Sequence, residues 1–530
     1  MINKFIKNLS FIAACALAFA SCAKDLDRKP FYDVTSASVY GEFSNYKQVL
    51  AKLYTGYAVT GQQGPAGRPD ISGGDEGFSN YLRQYWQLQE LTTDEALITW
   101  NDAGLYDLHN LNWTPANQFV KALYDRIYYQ ITLSNEFIRE MTDEKLSSRG
   151  ITGANLDEAK NYRAEARFLR ALSYWHALDM FGNVPFVTEM DAVGSFFPEQ
   201  IQKQQLFEYI ESELKAIEID LVDARQNEYA RADKAAAWTL LAKLYLNAEV
   251  YTGQAKFTEC LTYCNKVISS GFTLEPEYRR LFLTDNHNSN EIIFPIAFDG
   301  LRIKTYGGMT YLVHAPVGGN MSAASFGING GWGGLRTTKA IVNLFPDPNG
   351  VSDKRAMFHT NGQQLEINSI TEFTDGYPIT KYKNISSTGV PGSDRSGDFP
   401  DTDFPMFRLA DVYLMYAEAV LSGGTEGSTA TALDYINDLR ERAYGNMSGN
   451  IAAGALTLPF IIDERARELN WEAHRRTDLI RFERFTSDNY LWPWKGGVIN
   501  GRAVEDYRRL FPIPTSDLTA NPNLEQNPGY

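Results

Sequence analysis

Few residues in this sequence are suited to covalent or metal chemistry. Its 530 residues include only 4 cysteines and 6 histidines. The histidines are dispersed, and no HExxH, GxSxG, GxGxxG or P-loop pattern occurs. The compact routes to a zinc hydrolase, a serine hydrolase, a dehydrogenase or a nucleotide-dependent enzyme are therefore missing. Positive charge is also short. The 50 Lys and Arg against 65 Asp and Glu leave a formal charge of -15, which argues against a nonspecific nucleic-acid binder. The basic runs RERAYG and HRRTD sit among balancing acids, as expected of ion-paired helix faces. Beyond the first residues, no apolar run reaches the roughly 20 residues a membrane-spanning helix needs.

What is present is bulk and aromaticity. Hydrophobic residues make up 44% and aromatics 13% of the chain, which excludes a disordered or fibrous protein. The length exceeds that of one growing core, so an extended architecture or two to three sub-domains is expected. The start, MINKFIKNLSFIAACALAFASC, reads as a signal peptide: Lys4 and Lys7 in a basic head, an apolar run, then small residues before a cysteine. Ala20, Ser21 and Cys22 resemble the end of a bacterial lipobox, with Phe19 departing from the usual leucine. Residues 1–21 are therefore expected to be removed, Cys22 to be lipidated, and residues 22–38 to form a tether. Cys260 and Cys264, four apart on one helix face, read as small buried residues rather than a disulfide or a zinc pair.

Between residues 39 and 269 the apolar spacing is that of helices, expected at 119–141, 156–181, 204–222, 230–248 and 255–269. Gly182 and Asn183 supply a stop after the second of these. Alanines in RADKAAAWTLLAKLYL suit close helix approach, and such pairs are expected to stack as a tetratricopeptide-like superhelix. Matching helices recur in residues 406–530, including one expected to run through IIDERARELNWEAHRRTDLIRFERF. Residues 270–405 differ: glycine-rich turns and short apolar runs such as IIFPIAF and TYLVHA predict a loop-rich excursion with short β-strands. The fold class expected is mainly α.

Several segments together resemble the RagB/SusD family of outer-membrane glycan-binding lipoproteins, most closely its starch-binding type. They are YRAEARFLRALSYWHALDMFGNVPF, DTDFPMFRLADVYLMYAEAV, DERARELNWEAHRRTDLIRF and the terminal FPIPTSDLTANPNLEQNPGY. The resemblance implies a tetratricopeptide-repeat frame under a variable loop region, no catalysis, lipid attachment at the cell surface and a SusC-like TonB-dependent transporter as partner. Other surface glycan-binding lipoproteins are further partners, and nucleic acid is not one.

The resemblance also selects residues. An aromatic platform with a few hydrogen-bonding groups suits a sugar ring, whose faces are C–H and whose rim is hydroxyl. The family's aromatic arc carries over to Trp100, Tyr306 and Trp332, and its sugar-bonding arginine to Arg83. The amide residue following the first tryptophan falls on Ala103, leaving Asn101 or Asp102 to replace it. Tyr311, His314, Tyr85, Trp86, Trp492 and Trp494 read as packing residues. Asp401 and Asp403, with Asp285 as a remote third oxygen donor, form a candidate calcium site that the resemblance supports. The competing enzyme reading rests on Asp75 and Glu76, or Glu90, Asp94 and Glu95, as the two carboxylates of a glycosidase. Two other readings stay open: a family member for a different glycan, and a tetratricopeptide-type protein-interaction scaffold.

Overall fold

The computed structural model describes residues 36–530 except 66, 73 and 195, so the expected signal segment and Cys22 lie outside the described residues. The chain divides into two units, Met1–Lys47 and Gln48–Tyr530. In the first, Tyr46 donates to the Tyr40 carbonyl at 3.2 Å. The second is mainly helical, with three two-stranded antiparallel pairings and no larger sheet among the described residues.

Two of the long helices start where a side chain satisfies free amides of the first turn. Asn117 accepts from the Phe119 and Val120 amides to begin Gln118–Glu140, and Asp233 accepts from Ala236 to begin Lys234–Leu246. Ala154–Phe181 ends at Gly182, whose φ of 72° suits a residue without a Cβ. Neighbours pack in succession: Gln118–Glu140 on Ala154–Phe181, and that helix on Lys203–Ile217. Further along, Lys234–Leu246 packs on Phe257–Ile268, Phe257–Ile268 on Leu409–Leu421, and Leu409–Leu421 on Thr429–Tyr444. Ala235, Ala236 and Ala237 are buried and let two of these helices approach closely. Cys260 and Cys264 are buried and unbridged, their sulfurs 4.0 Å apart.

Two sequence expectations are corrected. The helix expected through IIDERARELNWEAHRRTDLIRFERF is broken into Leu458–Leu469 and Arg475–Arg481, with Trp471 and Ala473 both at φ 63°. The break turns Trp471 inward. Its ring nitrogen donates to the Glu95 carbonyl at 2.9 Å, its amide donates to Glu95 Oε2 at 2.6 Å, and its carbonyl accepts from Trp86 at 3.0 Å. Burial of a full indole compensates for the left-handed backbone. The apolar run TYLVHA is not a strand; it lies mostly in the helix Gly308–His314.

A buried ionic network ties these pieces together. Arg408, ending the strand Phe404–Arg408, meets Glu291, Glu468 and Glu472 at 2.8, 2.7 and 2.6 Å. Arg355 meets Asp353, Glu464 and Glu468. Glu464 and Glu468 thus face inward from the helix Leu458–Leu469 and Glu472 from just beyond it, and these three carboxylates are held below their ordinary range by neighbouring guanidinium groups, with Lys381 also beside Glu472, strongly enough to overcome burial.

Candidate functional site

One short pairing assembles the site. Leu97–Ile98 runs antiparallel to Leu335–Arg336, and the ladder continues as the Thr99 amide donates to the Gly334 carbonyl at 2.9 Å. The Thr99 hydroxyl donates to the Gly333 carbonyl at 2.9 Å. Trp100 is therefore delivered beside Trp332. Their rings lie 6.2 Å apart with a 44° tilt, and the Trp100 ring nitrogen donates to the Trp332 carbonyl at 3.3 Å. Gly334 permits this approach: a Cβ there would stand 2.7 Å from Trp100 Cε2.

Trp332 is laid down by its own backbone. Its amide donates to the His314 carbonyl at 2.9 Å, and the Gly333 and Gly334 amides donate to Val317 and Ala315 at 2.8 and 2.7 Å. The loop is thus strapped to the end of the helix Gly308–His314. His314 stacks on Trp332 at 4.9 Å and 27°.

Arg83 projects from the helix Tyr81–Glu90, which is capped by Asn80. Its guanidinium lies 4.3 Å from the Tyr311 ring centre and 5.8 Å from that of Trp100. Its buried Nε has no protein partner. Burial lowers its pKa, against the charge-stabilising influence of Tyr311, Asp75 and Asp102. Tyr306 joins the same region through the cap: Gly307 packs directly on Asn80, and the Cβ of Tyr306 borders Gly77. Tyr306 is 39% exposed, whereas Trp100 and Trp332 are half-buried. All three rings thus reach the surface. The structure brings Trp100, Trp332 and Arg83 into one group, and the Asn80 turn connects Tyr306 to it.

Asn101, Asp102 and Ala103 are exposed beside Trp100. Sequence reasoning overlooked Gln118, whose amide nitrogen donates to the Ala103 carbonyl at 2.6 Å. Its exposed side chain thereby lies beside residue 103. Its separation of fifteen residues left no local signal.

The remaining aromatics divide as expected. Trp86, Trp492, Tyr85 and Tyr311 are buried, and Trp494 donates to the Ile367 carbonyl at 2.9 Å. Of the carboxylates weighed for catalysis, Glu90, Asp94 and Glu95 are buried, while Asp75 is exposed. Asp94 holds Arg475 at 2.8 and 2.7 Å and accepts from Tyr490. Glu90 and Glu95 accept from the backbone amides of His474 and Trp471 respectively; burial pushes both carboxyls up, Glu90 to about 8. Asp75 accepts from the Gly77 and Phe78 amides in a turn.

The three candidate calcium ligands already accept protein donors. Asp285 takes the Ser387 amide and hydroxyl. Asp401 takes Gly300 and Ser393. Asp403 takes the Phe298 amide at 2.7 Å and the Tyr229 hydroxyl at 2.5 Å. Among the described residues, no group of three or more His, Cys, Asp or Glu is gathered closely enough to hold a metal.

Comparison with known proteins places this geometry in a family. Residues 360–530 match a profile described as the SusD family, and residues 30–246 match one described as starch-binding associating with outer membrane. The starch-binding protein SusD of Bacteroides thetaiotaomicron is 37% identical, the match covering 100% of both chains. A SusD-like protein of Bacteroides ovatus is 25% identical over 92% of this chain and 84% of its own. Among solved structures, surface glycan-binding protein A of Bacteroides fluxus is 20% identical with a TM-score of 0.71, covering 92% of this chain and 99% of that one. With a full-length relative at this identity, the chain belongs to the RagB/SusD family of non-catalytic, outer-membrane glycan-binding proteins.

Proposed function

We propose that the chain holds starch or malto-oligosaccharides across Trp100, Tyr306 and Trp332 and passes them to a SusC-like TonB-dependent transporter. The observation that carries this reading is the tilted Trp100–Trp332 pair, backed by Arg83 with its unpartnered buried nitrogen. Two rings 44° apart form a bent shelf. A bent shelf suits the natural curvature of an α-1,4-linked glucan better than a flat ribbon such as cellulose. The apolar sugar faces would stack on the rings while Arg83, Asn101, Asp102 and Gln118 meet the hydroxyls. The full-length relative named a starch-binding protein supports the same ligand class.

Stacking on open rings offsets little more than the cost of desolvating hydroxyls. Affinity for a single chain is therefore expected in the micromolar to millimolar range, about -8 to -4 kcal/mol. Lipidation at Cys22 would keep the protein on the outer surface beside the transporter, and the successive helix pairs support a tetratricopeptide-like superhelix as the rigid frame. Calcium at Asp285, Asp401 and Asp403 belongs to the same proposal. The donor set is oxygen alone, as a hard cation requires, and Asn286, next to Asp285, donates to the Asp403 carbonyl at 2.9 Å. Each of these carboxylates would have to share its present donors with the ion.

A binding panel of amylose, cyclodextrin, cellulose, dextran and fructan tests the ligand. Preference for the first two is expected. Exclusive binding of another polymer would select a second reading, a family member for a different glycan, which Ala103 favours because it removes an amide from the shelf.

A further inference from the structure

Two rings of the proposed shelf rest on one loop. Residues 393–401 are shaped from within. The Asp394 carboxylate accepts from the Ser396, Asp398 and Phe399 amides, and that of Asp401 closes the base on Ser393 and Gly300. The Phe399 ring lies buried against Tyr306, 5.5 Å away. From the residue just before it, the Asp398 carbonyl faces His314 Nε2 at 3.0 Å, while His314 Nδ1 faces the Gly330 carbonyl at 2.7 Å. His314 therefore bridges the loop to the segment carrying Trp332, on whose ring it stacks. Two more bonds join the same segments: the Asn329 side-chain amide to Asp398 Oδ1 at 2.5 Å, and the Asn329 backbone amide to the Gly397 carbonyl at 3.1 Å.

We propose that the 393–401 loop sets the spacing between the Tyr306 and Trp332 platforms, with Phe399 and His314 as its positioning residues, and so selects for glycan chains long enough to span both. His314 touches no sugar in this reading. It acts by fixing the Trp332 segment against a loop that also fixes Tyr306, so that the two rings share one reference. This inference rests on the shelf being the glycan site, and a chain lying on a single ring would not sense the loop.

The test is calorimetric titration of maltoheptaose and maltotriose into wild type and the variants His314→Phe, His314→Gln, Phe399→Leu and Trp332→Ala, with near-UV circular dichroism and melting as fold checks. His314→Phe keeps the stack and removes the imidazole's N–H donor together with its polar contacts to both carbonyls; His314→Gln restores one donor. Expected is about a five-fold or greater loss for maltoheptaose in His314→Phe and Phe399→Leu, with maltotriose changed less than about two-fold and His314→Gln recovering part of the loss. Equal losses for both sugars would mark the residues as merely structural and overturn the inference. So would unchanged binding in these variants while Trp332→Ala weakens it, which would leave the shelf itself standing. Unchanged binding in Trp332→Ala would remove the shelf and the inference together.

Discussion

Gly334→Ala separates the shelf from the fold with a single methyl group. The added Cβ would lie 2.7 Å from Trp100 Cε2 and 2.9 Å from both Cζ2 and Nε1, whereas carbon atoms settle at about 3.5–4.0 Å. The indole must therefore withdraw by roughly 1 Å. It is half-buried and has room outward, so the ring yields and the backbone need not. Gly334 does not have a positive φ, and alanine there reduces unfolded-chain entropy by about 0.4–1 kcal/mol. Withdrawal lengthens the Trp100–Trp332 hydrogen bond, already 3.3 Å, whose loss costs about 0.5–1.5 kcal/mol. These nearly cancel, so Tm should move by less than about 2 °C in a chain of this size. Sugar stacking is less forgiving, because a displaced platform no longer lines up with Trp332. Loss of about 1 kcal/mol of stacking corresponds to a five- to ten-fold weaker maltoheptaose titration. In a double-mutant cycle, Trp100→Ala should absorb the effect, so that Gly334→Ala adds nothing to it. A changed near-UV spectrum with unchanged affinity would refute the reasoning, since the ring would have moved without consequence for the ligand.

Three further outcomes follow from other parts of the chain. Arg83→Lys should weaken α-glucan binding about ten-fold while the fold persists, because a point charge cannot reproduce a planar fork lying over two rings; equal titration curves would detach Arg83 from the ligand. Burial raises the Asp403 carboxyl from 3.8 to about 6, so its contribution to stability is full below about pH 4 and is lost as pH rises through 6, on the order of 3 kcal/mol. Asp403→Asn should therefore gain on wild type in denaturant melts between pH 4 and 7, and parallel pH profiles would contradict the assigned cause. Chelation with demonstrated metal removal should lower Tm if Asp285, Asp401 and Asp403 hold calcium, and an unchanged scan would remove the ion from the proposal.

Local pattern and long-range placement were legible to different degrees. Helices announced by apolar spacing begin and end within a few residues of expectation where a cap or a glycine marks the boundary, as at Asn117, Asp233 and Gly182. The break at Trp471 was not legible, because periodicity runs straight through it. The reason for it, Glu95 and Trp86, lies more than 370 residues away. The same limit applies to the site. Aromatic residues in glycine-rich loops can be seen one at a time, but what sets Trp100 beside Trp332 is the pairing of Leu97–Ile98 with Leu335–Arg336, two strands too short to register as a pattern. His314 read as packing because one sequence does not reveal that both its nitrogens face carbonyls of different loops.

The arrangement of charge explains why a site built on such short elements can be rigid. Arg408, Arg355 and Arg442 draw together Glu291, Glu464, Glu468 and Glu472 from segments far apart in the chain. A buried network of this kind contributes little net stability, since desolvation offsets most of the attraction. Removing one member is costly, however, because it strands the partners. Its consequence is therefore specificity of arrangement: the strand Phe404–Arg408 can occupy only the position that satisfies Arg408. That strand follows directly from the 393–401 loop, which abuts Tyr306 and His314. Precision at rings that reach the surface is thus supplied from the charged interior through the segment that connects them.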